Sequence, residues 1–66
     1  MKERQEWMKV GAQVLAIDKL GTITGMQLNT IDGTEYVYYI QVKIVGEKHA
    51  GQYHPNDVQE PVFITK

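Results

Sequence analysis

Two β-rich runs meeting at Asp32-Gly33 constrain this chain more than any other feature in it. Asp-Gly between such runs favours a two-residue turn in which both central residues take positive φ, so the runs fold back on each other as an antiparallel hairpin. Thr22–Ile31 is the first arm, with Gly25 inside it. Glu35–Val45 is the second, dense in Tyr, Val and Ile, which suit a pleated, half-buried surface.

The turn also sets a register. It pairs Ile31 with Thr34, and then Asn29 with Tyr36, Leu28 with Val37, Gln27 with Tyr38, Met26 with Tyr39, Gly25 with Ile40, Thr24 with Gln41 and Ile23 with Val42. At the base, Ile23, Gly25, Ile40 and Val42 share a face and belong to the core, opposite Thr22, Thr24, Gln41 and Lys43. Towards the tip the pattern inverts. The face continuing from the core carries Gln27, Asn29, Tyr36 and Tyr38, and the other carries Met26, Leu28, Val37 and Tyr39. A regular strand cannot bury both apolar sets on one side, because its side chains alternate with period two. Either a bulge or bend near Gly25 turns the tip so that both sets face inward, or the hairpin projects and presents Met26, Leu28, Val37 and Tyr39 to a partner.

The flanking segments are short. Val14–Ile17 reads as a buried strand and Asp18–Gly21 as its connection to the hairpin. Gly46–Gly51 is a loop, Gln52-Tyr53 a short strand and His54–Asp57 a 3₁₀-like turn begun by Pro55. Val58 and Val62–Thr65 supply a last strand, with Pro61 at its start. Residues 1–8, MKERQEWM, are charged and rich in helix formers, and read as a frayed arm or a helical turn that lays Trp7 on the surface. The expected organisation is an N-terminal arm over residues 1–8 and a barrel over 9–66. Five short strands with tight turns in so short a chain imply an all-β, five-stranded small barrel.

With 66 residues the chain buries only about 60% of its unfolded surface, so its core is thin and an additional staple is expected. It has no cysteine, which excludes disulfides, thiolate zinc sites and thiol catalysis, and no serine nucleophile. Self-association is the common staple that remains. Seven basic and eight acidic residues give a net charge of −1, which lacks the cationic field of a general nucleic-acid binder. Lys9, Lys19, Lys43 and Lys48 are interleaved with acidic residues and read as ordinary solvated charges. No apolar run approaches the roughly 18 residues of a membrane span. The charged start Met1–Glu6 lacks the apolar segment of a signal peptide, so a cytoplasmic protein is expected.

Val10-Gly11-x-x-Val14, Gly21-Thr22-Ile23-x-x-Met26, Tyr36-x-Tyr38-x-Ile40 and Tyr53-x-Pro55-x-Asp57-Val58 together resemble the SH3-like small barrels, in particular the KOW and Tudor-like group. The resemblance covers about residues 9–60 and rests on turn and interior positions. It implies the fold, and a binding role towards peptide, nucleic acid, modified side chains or further copies of the chain. A narrower similarity is to the type II dihydrofolate reductases, SH3-like tetramers with an active pore. Gln52 and Pro55 match their pore stretch, but Tyr53 and His54 stand where that family has Ile and Tyr, and its pore lysine has no match here. Reductase activity is therefore not expected.

His49 and His54 lie five apart across a glycine-containing loop, with no carboxylate spacing that would make a metal or proton-transfer pair. No cofactor, metal or enzyme motif is present, and no cofactor is expected. The candidate partner-binding residues are Trp7, Met26, Leu28, Tyr36, Val37, Tyr38, Tyr39 and Tyr53. Aromatic faces among them suit peptides, cations or stacked bases. The expected work is non-catalytic: binding of a protein, either another copy or a foreign chain, by a small accessory protein of bacterial or phage type. Nucleic acid is the less favoured ligand, and no membrane contact is expected.

Overall fold

The structure, a computed structural model, describes residues 2–61. It is all-β, an antiparallel sheet curled into a half-barrel. The strands are β1 (Lys2–Glu3), β2 (Gln13–Ala16), β3 (Lys19–Ile31), β4 (Thr34–Ile44), β5 (Gly51–Tyr53) and β6 (Val58–Gln59), with a 3₁₀ turn at Pro55–Asp57. They lie in the order β1-β4-β3-β2-β6, and β5 also pairs with β4. The expected strand over Val62–Thr65 lies outside the described residues.

The β3–β4 turn is the one its dipeptide demands. Asp32 has φ 52° and Gly33 φ 81°, and Ile31 sits opposite Thr34. A second turn of the same kind escapes the sequence. Ile17 (φ 49°) and Asp18 (φ 62°) join β2 directly to β3, with Ala16 opposite Lys19. Lys19–Gly21, read as a connection, is therefore strand, and Ile17 is not a core residue but 61% exposed. A β-branched residue at positive φ is costly enough that no propensity argument places it there. The Ile17 N–H donates to the Asp57 carbonyl at 3.0 Å, which anchors the turn to the 3₁₀ segment.

The inverted pattern of the hairpin is resolved by two bulges of opposite sense. Leu28 faces Val37, but Gln27 faces Tyr39, so Tyr38 is the extra residue on β4. Gly25 faces Gln41, but Ile23 faces Val42, so Thr24 is the extra residue on β3. The shifts cancel: the register deduced from the turn holds at both ends of the hairpin and is off by one residue between the bulges. Each bulge flips the alternation of its own strand. Val37, Ile40, Val42 and Ile44 thereby share the core face of β4. On β3, Gly21 and Ile23 are buried there, and Met26 packs against the same core. Gly25, expected inside, lies on the outer face, where an added Cβ would meet the Gln41 side chain.

Val14, Ala16, Val58 and Met8 complete the core. Met8 shows that the N-terminal segment is part of the packing, and its first residues are a strand rather than a helical turn. Lys2 pairs with Val37 and Glu3 with Tyr36, on the edge of β4 away from β3. Arg4 fastens the arm. Its N–H donates to the Glu35 carbonyl (2.9 Å), its Nη1 pairs with Glu35 Oε1 (3.1 Å), and its Nε donates to the Met8 carbonyl (3.0 Å). Helix propensity over eight residues is weak, and the edge of β4 offers backbone partners that a helix would leave unused.

Candidate protein-interaction surface

The bulge at Tyr38 changes which aromatics can act together. Simple alternation separates Tyr39 from Tyr36 and Tyr38. In the structure Tyr36 and Tyr39 each neighbour a fully buried residue, Val37 and Ile40, and so point to the outer face of the sheet. Tyr38 joins them: its hydroxyl lies 3.2 Å from Asn29 Nδ2, which donates to it, and Asn29 pairs with Tyr36 on that outer face. Tyr38 is 44% exposed, and Tyr36 and Tyr39 are half-buried.

Asn29, Gln27, Gln41 and the exposed Ile31 surround the tyrosines. By the same alternation the only charged side chain on the outer face of β3 and β4 is Lys43, near the base. The twelve residues Leu20–Ile31 carry no charge at all. The outcome is a face of phenol, amide and hydroxyl groups with its charges at the margins, Lys43 near the base and Glu3 of β1 opposite Tyr36, a composition found where proteins contact proteins.

The other sequence-derived candidates lie elsewhere. Val37 is 0% exposed, so it cannot belong to a contact patch; it lies in the sheet between Leu28 of β3 and Lys2 of β1. Met26 is half-buried against the core. Leu28, on the same side of β3, is 36% exposed at the rim. Trp7 packs on the core and lines an open groove with Pro61. Tyr53, paired with Ile40 through β5, also packs on the core. The eight residues thus divide into an outer tyrosine triad, a core-side rim of Met26 and Leu28, two half-buried aromatics and one interior valine.

Sequence reasoning did not single out Asn29 and Ile31, nor the edge of β3 beyond Ile23, with which no described residue pairs. The charge-free run from Leu20 to Ile31 was the signal available for them. The histidines are local. His54 caps the 3₁₀ turn, its Nδ1 accepting from the Asn56 N–H at 3.1 Å, and His49 is an exposed loop residue. Among the described residues no three His, Asp or Glu side chains converge as a metal site would require, and no helix is long and apolar enough to cross a membrane. No protein-family model, curated protein or solved structure matches the chain.

Proposed function

We propose that this protein is a non-catalytic interaction module of the SH3-like barrel type, which binds protein through the β3–β4 hairpin. The order of β2 to β6 in the curled sheet, with a 3₁₀ turn between its last two strands, supports the barrel type. The observation that carries the binding reading is the gathering of Tyr36, Tyr38 and Tyr39 on one outer face, with Glu3 and Lys43 at its margins. Tyrosine supplies large contact area at low entropic cost, and Asn29, Gln27 and Gln41 supply adaptable hydrogen bonds. Nucleic acid, the alternative ligand among barrels of this type, needs cations beside the aromatics to neutralise phosphate, and Lys43 stands alone.

The test is affinity capture with immobilised protein, wild type beside Tyr38→Glu. A partner retained by wild type and lost by a folded Tyr38→Glu supports the assignment. A partner retained equally by both, or retention of DNA or RNA that falls steeply with salt, refutes it.

A further inference from the structure

The two long edges of the hairpin are treated differently. The outer edge of β4 is covered by the chain itself, by β1 at Tyr36 and Val37 and by β5 from Ile40 to Val42. Among the described residues the far edge of β3 is covered only at its start. β2 pairs with Lys19–Thr22, and Ile23 exchanges bonds with Gly11 and Ala12 (both 2.9 Å). Beyond Ile23 no described residue pairs with that edge.

The turn register says which backbone groups face outward. Ile31 and Thr34 flank a two-residue turn and bond to each other, as do Asn29 and Tyr36 two residues further along. Thr30 and Leu28 therefore point their N–H and C=O groups away from β4. The bond from the Arg4 N–H to the Glu35 carbonyl confirms the phase, since Glu35, opposite Thr30, also faces away from β3. Met26 continues the outward set. The Thr24 bulge then explains why Ile23, an odd position, faces β2.

Exposed edges invite strand pairing, and proteins guard them with Lys, Pro or early termination. From Thr24 to Ile31 this edge has no charged residue and no proline. We infer that it pairs with the same edge of a second copy, antiparallel about a two-fold axis through Leu28. This rests on the reading of the hairpin as an interaction surface and names the partner and the register.

The outward positions Met26, Leu28 and Thr30 are symmetric about Leu28. Leu28 meets its counterpart, and Met26 meets Thr30 of the second copy, with about six backbone hydrogen bonds between the chains. The pairing covers the rim of Leu28, which the single chain leaves 36% exposed. A neutral edge brings no like charges together when it meets itself, and the isologous contact closes at two copies. It joins two half-barrels into one sheet and enlarges a core that a chain this short cannot enlarge alone.

The experiment combines light scattering over a concentration series with amide hydrogen exchange on the full chain. Wild type is expected at twice the 7.6 kDa chain mass. The Leu28 and Thr30 amides are expected to exchange slowly, and more slowly as concentration rises. The Asn29 and Ile31 amides stay protected at every concentration by bonds within the hairpin. Leu28→Lys places two cations opposite each other, and Thr30→Pro removes an outward donor without touching a hairpin bond. Both are expected at the single-chain mass with an unchanged far-ultraviolet spectrum. Should either fail to fold, the wild-type exchange pattern decides.

A wild type that stays at single-chain mass overturns the inference. So do Leu28 and Thr30 amides that exchange freely, or that are protected in a monomer, which would mean that the chain covers its own edge. A dimer that survives both edge variants but is lost in Tyr38→Glu overturns the edge pairing and leaves the tyrosine face standing. A monomer whose tyrosine face retains no protein removes both.

Discussion

Gly21 and Gly25 lie four residues apart in β3, and substituting each with alanine tests the geometry of the sheet directly. Neither has positive φ, so alanine meets no backbone penalty at either position and only space differs. Gly21 is enclosed between β2 and β4, opposite Val14 and Ile44. A Cβ there would lie 2.6 Å from Val42 Cγ1, 2.8 Å from the Lys43 carbonyl oxygen and 3.2 Å from Ile44 Cδ1. Two of these atoms belong to buried side chains and the third to backbone, so β4 itself must move. Forced insertion into a packed core costs about 1–3 kcal/mol. At Gly25 the close atom is Gln41 Oε1, at 2.9 Å, the end of a flexible side chain that can swing away. There the reduced freedom of the unfolded chain should prevail, a gain of about 0.4–1 kcal/mol.

A domain of this length has a total stability of only about 3–10 kcal/mol, and 1 kcal/mol shifts its melting temperature by about 4–8 °C. Gly21→Ala is therefore expected to melt about 5–20 °C below wild type, and Gly25→Ala at or slightly above it. Urea and thermal unfolding followed by the single tryptophan, Trp7, and by far-ultraviolet circular dichroism would measure both. Equal stabilities, or Gly25→Ala as the less stable, would refute the close approach of β3 and β4 at Gly21.

Ile17→Asn relieves a β-branched residue at positive φ that is mostly exposed, and should raise stability by about 1 kcal/mol, read as a higher urea midpoint. Met8→Ala should cost about 2–5 kcal/mol because the side chain is wholly buried, whereas Val45→Ala, 71% exposed, should stay within about 0.5 kcal/mol; equal effects in thermal melts would contradict the place of the N-terminal segment in the core. His54→Ala removes the acceptor that caps the Asn56 N–H and should lower the urea midpoint by the equivalent of about 0.5–1 kcal/mol, with His54→Asn restoring most of it.

Much of the fold is legible in individual residues. Asp32-Gly33 sets the hairpin, because few other dipeptides take two positive φ angles at low cost, and the register at both ends of β3 and β4 follows from it. Pro55 and Asp57 mark the 3₁₀ turn, since proline suits a first helical position. The tight turn at Ile17-Asp18 is illegible, because a β-branched residue at positive φ runs against local preference and the bond that anchors the turn reaches Asp57, forty residues away in the chain. The candidate surface is legible in composition but not in arrangement. The tyrosines and the uncharged run are plain to read, while their grouping is not.

The chain's own residues therefore dictate an antiparallel hairpin, a thin all-β core and the absence of cysteine chemistry, since these follow from local dihedral preference, alternation and composition. The tertiary structure decided the face of each tyrosine, the burial of Val37 and Met8, and which strand edge no described residue covers. Bulges at Thr24 and Tyr38 cost local hydrogen bonds and are repaid only by long-range packing, as Val37, Ile40, Val42 and Ile44 come to one side. Edge coverage by β1 likewise depends on contacts some thirty residues apart, which no local pattern encodes.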